Sequence, residues 1–82
     1  MDNKAIVIFT NRQTGETSDL ELPLDITAND LIIALNAAYS LGIDVSDTRQ
    51  CFLKSENPIA LIKGNRLLSE YGIINGTEIF FG

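Results

Sequence analysis

The chain has 82 residues, 45% of them hydrophobic, 21% charged and 7% aromatic, which suits one small packed domain over residues 1–82 with no room for a second core. Six Lys and Arg against eleven Asp and Glu leave a formal charge of −5, so the average field repels a phosphate backbone and argues against nucleic acid. Histidine is absent, which removes most acid–base, triad and zinc chemistry. A lone Cys51 permits no internal disulfide and fits a reducing compartment. The expectation is a protein that is not an enzyme and needs no metal or cofactor. The apolar run Ala5–Phe9 behind the polar Met1–Lys4 is too short for a signal peptide or a membrane span. Cytoplasmic residence without direct membrane insertion is therefore expected.

Taken in order, Ala5–Thr10 is β-branched and aromatic, and a second extended stretch covers Thr17–Leu22 after the turn Asn11-Arg12-Gln13-Thr14-Gly15. This spacing predicts a hairpin whose Gly15 supplies the positive φ of a short loop. In the second strand Ser18, Leu20 and Leu22 share one face and Asp19 and Glu21 the other, with Pro23 as the stop. Thr27 and Asp30 form a capping box for a helix, with Ile26 and Leu31 at the staple positions. Leu31, Leu35, Ala38 and Gly42 recur at helical spacing, flanked by Ile32 and Tyr39, and Gly42 marks the expected end. Asp25 and Asp30 suit the positive helix start without any ligand. Beyond the polar turn at Asp44, Ser46 and Asp47, extended runs are predicted for Arg49–Ser55 and Pro58–Ile62, then a turn at Lys63-Gly64-Asn65 and a brief helical turn over Leu67–Gly72. Asn75-Gly76 leads to a last strand, Thr77–Phe81. The order β-β-α-β-β-β gives an α+β roll, a mixed sheet packed on one helix, which is the β-grasp layout.

Thr14-Gly15-Glu16-Thr17, Leu20-Glu21-Leu22-Pro23, the Thr27-capped helix and Leu68-Ser69-Glu70-Tyr71-Gly72-Ile73 together resemble ubiquitin over nearly the whole chain. A hydroxyl on Tyr71 is expected to bond a nearby backbone group and tie its loop to the core. Within that superfamily, Asp19-Leu20, the Gly72-Ile73-x-Asn75-Gly76 turn and the early C-terminus resemble the YukD/EsaB proteins of type VII secretion systems. That resemblance implies an accessory or regulatory role in export from Gram-positive bacteria, with a secretion-system component as protein partner and a location peripheral to a membrane complex.

Ubiquitin-type conjugation and sulfur-carrier chemistry need a mobile tail ending in Gly-Gly. The sequence here runs Ile79-Phe80-Phe81-Gly82, so activation at Gly82 is an alternative that the residues do not favour. If function is binding, the question is which apolar side chains the core leaves over. With Ile6 and Ile8 toward the helix, Val7 and Phe9 lie on the open face; with Ala5, Val7 and Phe9 as the inner set, they do not. Cys51, Leu53, Ile79 and Phe81 inward send Phe52 and Phe80 outward. In the ubiquitin-like strand order, Val7, Phe9, Phe52 and Phe80 would make one patch, rimmed by Arg49 and Lys54. By the same resemblance Phe52 matches the position of ubiquitin's main recognition isoleucine. A basic rim on an acidic protein favours an acidic or apolar partner. A third reading is a homodimer, in which the patch pairs two copies about a two-fold axis. Cys51 reads as a small buried hydrophobe, and Asp44 with Asp47 as loop caps rather than a calcium loop.

Overall fold

The computed structural model describes residues 3–82. Strands β1 (Lys4–Asn11) and β2 (Glu16–Pro23) form the opening hairpin, and helix α1 (Ala28–Tyr39) follows. Strands β3 (Leu53–Glu56), β4 (Ala60–Ile62) and β5 (Glu78–Phe81) complete the chain, with a 3₁₀ turn at Leu68–Tyr71. The strands make one sheet in the order β2-β1-β5-β3-β4. β5 runs parallel to β1 and antiparallel to β3, so the β-grasp layout is met with the last strand in the middle. No helix among the described residues is long and apolar enough to cross a membrane.

Register decides what each face carries. Directly opposed residues of an antiparallel pair share a face, and Ala5, Val7 and Phe9 lie opposite Leu22, Leu20 and Ser18. All three β1 residues are buried in the core with Leu22, Leu53, Ile62 and Ile79, beneath Ala28, Leu31, Ile32 and Leu35 of the helix. The assignment of Val7 and Phe9 to the open face is therefore overturned: they are 0% and 2% exposed, whereas Ile6 is 52% exposed. The cause lies in β2. Leu20 and Leu22 must face the helix, and the hairpin pairing carries the odd-numbered residues of β1 with them.

The helix begins as its sequence dictates. Thr27 Oγ1 accepts the Asp30 N–H at 3.1 Å, and Asp30 Oδ2 accepts the Thr27 N–H at 3.4 Å. Two further N–H groups of the first turn, on Ala28 and Asn29, donate to the carbonyls of Arg66 and Gly64. The end comes earlier than Gly42. Ser40 adopts the left-handed conformation at φ 53° as its N–H bonds the Asn36 carbonyl, and the turn returns Leu41 and Ile43 to the core. Ala38 is exposed, because the buried stripe stops at Leu35. Tyr39 lies with its ring centroid 5.2 Å from that of Phe9.

Two hydroxyls, one foreseen and one not, anchor the second half. Tyr71 donates to the Lys63 carbonyl at 2.8 Å and accepts the Lys63 N–H at 3.2 Å. Thr77 is fully buried; its hydroxyl donates to the Asn57 carbonyl at 2.8 Å and accepts the Ile74 N–H at 3.0 Å. The β3–β4 turn is thus fastened to the entrance of β5.

The register makes a stability prediction. Val7→Asp places an unpaired carboxylate among core side chains at a cost of several kcal/mol, comparable to the roughly 3–5 kcal/mol that so small a core supplies; the variant is expected not to fold. Ile6→Asp should stay within about 1 kcal/mol of the parent in a urea melt. The reverse ranking would show the odd-numbered set to be outward.

Candidate docking face on the open side of the sheet

The face opposite the helix is set by the same parity. Lys54 lies across from Phe80 and Glu56 across from Glu78 in the β3–β5 pair. Thr10 lies beside Phe80 and Ile8 beside Glu78 in the β1–β5 pair, and Leu61 lies opposite Lys54. Asp19 and Glu21 on β2 face Ile8 and Ile6. The open face is therefore divided: acids gather toward one end, and aromatic and basic side chains toward the end where β5 finishes.

Phe80 stands at the centre of that second end. It is buried, 6% exposed, but is not part of the cluster packed beneath the helix. The guanidinium carbon of Arg12 sits 3.9 Å from its ring centroid, a cation–π stack. The sequence pattern alone places Arg12 in the hairpin turn. The signal for it lay in the even-numbered parity that it shares with Thr10, once β1 is in register.

Two depressions flank Phe80, which with Lys54 forms a wall of each. The first, about 420 Å³, is bounded by the loop Leu41-Gly42-Ile43, by Arg49, Gln50 and Phe52, and by the end of β5. The second, about 380 Å³, lies toward β4, between Arg12, Glu56, Ile59 and Leu61. Of the residues expected to form a patch, Phe52, Phe80, Arg49 and Lys54 come together here, while Val7 and Phe9 lie beneath the sheet. Ile59 and Leu61, 89% and 45% exposed, add apolar surface that the sequence reading left out.

One wall of the first depression is held by a side chain. The Asn36 amide donates to the Ile43 carbonyl and accepts the Ile43 N–H, both at 3.0 Å, a two-bond clamp that stands in for a strand partner. Beyond it, Asp44 accepts the Ser46 N–H at 3.0 Å and the Ser46 hydroxyl at 2.6 Å. These bonds hold its carboxyl below the usual carboxylate range. Asp47 accepts from the backbone and guanidinium of Arg49 and from the Gln50 amide. Both acids are occupied as loop caps. Cys51 is buried, its sulfur 3.8 Å from the Asn29 side-chain oxygen.

The fold is that of a ubiquitin-like domain. The C-terminal ubiquitin-like domain of mouse tubulin-specific chaperone e superposes with a TM-score of 0.74 at 15% identity, covering 96% of this chain and 84% of that one. The ubiquitin-like domain of yeast Ddi1 gives 0.65 at 19% identity, covering 98% and 88%. The corresponding domain of Plasmodium falciparum Dsk2 gives 0.61 at 20%, covering 94% and 96%. At such identities these likenesses establish the fold. Among curated proteins no sequence matches. Residues 6–80 match the family described as WXG100 protein secretion system (Wss), protein YukD, and the chain belongs to that family.

The Arg12–Phe80 stack has a spectroscopic signature. The side-chain protons of Arg12 are expected well upfield of their ordinary positions through the ring current of Phe80, and to return when Phe80→Leu removes the ring. Unshifted Arg12 protons in the parent protein would refute the stack.

Proposed function

We propose that this ubiquitin-like chain is a protein-docking accessory of a WXG100 secretion system, acting on the cytoplasmic side and engaging a component of the apparatus through the open face around Phe80. Family membership supports the setting. The observation that supports docking is an aromatic side chain at the centre of a sheet face, ringed by Phe52, Arg49 and Lys54, none of which belongs to the buried aliphatic core. Aromatic anchors beside cations are the composition that concentrates binding energy at interfaces. Phe52 is half-buried and the Arg12 guanidinium lies over the Phe80 ring, so a partner that displaces the Arg12 side chain reaches the anchor.

This reading assigns no reaction to the chain. Phe81 is held in the sheet, its carbonyl accepting the Arg12 N–H at 2.8 Å, and packs against the core. Incubation with ATP and extract of a bacterium that carries a WXG100 system is expected to leave the intact mass unchanged. A shifted mass or a ladder would replace docking with covalent transfer.

The docking test uses Phe52→Ala combined with Lys54→Glu, two substitutions outside the core. Binding to the purified cytoplasmic domains of the apparatus, measured by calorimetry, is expected to weaken at least about tenfold, the loss of about 1.4 kcal/mol or more that one interface anchor supplies, with the urea midpoint nearly unchanged. Parental affinity in a folded variant would remove this face from the interface. Sedimentation of the free protein addresses the dimer reading, with a monomer across concentrations counting against it.

A further inference from the structure

The charges of the open face identify the chemistry of what docks there. Three of the six cationic side chains in the chain, Arg12, Arg49 and Lys54, border Phe80 or the depressions beside it, in a protein whose formal charge is −5. They are not equivalent. Arg49 is held by Asp47, with Nε 3.3 Å from the carboxylate. The ion pairs among the described residues are this one and Lys4 with Glu21, so Arg12 and Lys54 have no carboxylate partner there.

The guanidinium carbon of Arg12 lies 3.9 Å from the Phe80 ring centroid, which positions its charge over the ring. A guanidinium stacked on one face keeps its N–H edges free, and those edges match the two oxygens of a carboxylate. Lys54, across the β3–β5 register from Phe80, supplies a second cation on the same ridge. The adjoining first depression has apolar walls at Leu41, Ile43, Phe52 and Phe81, no Asp or Glu side chain in its lining, and Gly82 at its edge. Acids do line the rest of the face: Glu56 closes the second depression, and Glu56 and Glu78 oppose each other directly. An anion is thus repelled from the acidic end and accepted at the Phe80 end.

Resting on the docking reading above, we infer that the occupant of this face is an extended acidic segment of the partner. Its carboxylates lie on Arg12 and Lys54, and an apolar side chain of the segment fills the depression beside Phe52. Arg12 is a binding residue in this assignment, not a turn residue. The charge pattern also orients the segment, since its acids can lie only on the Phe80 side of the Glu56–Glu78 pair.

The test is an amide-shift titration of the full chain with three blocked peptides that alternate Leu with Glu, Gln or Lys. The Glu peptide is expected to shift residues 12, 49, 54 and 80 and their neighbours saturably, and to bind about tenfold more tightly than the Gln peptide, the difference of one charge-assisted contact. Arg12→Gln with Lys54→Gln should bring the Glu peptide to the level of the Gln peptide, with the native amide spectrum retained. Equal affinity for Glu and Gln peptides, tighter binding of the Lys peptide, shifts mapping elsewhere, or no shifts with any peptide would overturn the assignment. If acid preference fails while Phe52→Ala with Lys54→Glu still abolishes binding to the apparatus, docking stands and the acidic occupant falls. If both fail, the face itself is wrong.

Discussion

The parallel pairing of β1 with β5 is the constraint on which the rest of this molecule depends. It draws the last strand into the middle of the sheet, where β1 and β3 satisfy its backbone from both sides. Ile79 is thereby committed to the core and Phe80 to the centre of the open face, with Thr10 and Lys54 as its lateral neighbours. Nothing local to Glu78–Phe81 dictates this, since the three apolar residues Ile79, Phe80 and Phe81 can present either face. The Thr77 hydroxyl, bridging Asn57 and Ile74, sets the point at which the strand enters, and the Ile8 N–H bond to the Thr77 carbonyl at 2.9 Å fixes its register against β1.

The same pairing explains why a small core leaves an aromatic residue to its other face. A sheet with a single helix covers one side only, so β5 must present alternate residues to solvent whatever their character. The chain meets this with a stacked arginine. Arg12 covers apolar area with its stem and ring contact while keeping a charge at the surface. The Phe80 pairing with Arg12 is the feature of this face on which the proposed docking rests.

Much of the fold was legible in the residues. The capping box at Thr27 and Asp30, the clean alternation of Leu20 and Leu22 with Asp19 and Glu21, and the Tyr71 block each carry local chemistry that forces one geometry. The face of β1 was not legible from β1, because Ala5–Phe9 is apolar at every position and period-two alternation has no polar half to read. The information sat instead in β2 and in the length of the turn between them. Phe52 and Phe80 were placed outward because a buried Cys51, Leu53 and Ile79 bracket them. Arg12 escaped because a residue just beyond a strand's last predicted position carries no face until the pairing partner is known. Asn36 escaped for a related reason: an amide on a helix signals nothing until a loop returns to it.

These two unforeseen residues show where function separates from fold in this chain. Asn36 shapes the proposed docking face indirectly, by clamping Ile43 and so setting one wall of the first depression. Its role is geometric, and any side chain able to donate and accept at that spacing would serve. Arg12 touches the face directly, and its value depends on a planar, permanently charged group with donors on its free edges. Lysine would keep the charge at that position but lose both the stack and the two-pronged geometry. Of the two, only Arg12 would tie the chemistry of a partner to this sequence under the proposed docking, because its guanidinium lies over the Phe80 ring.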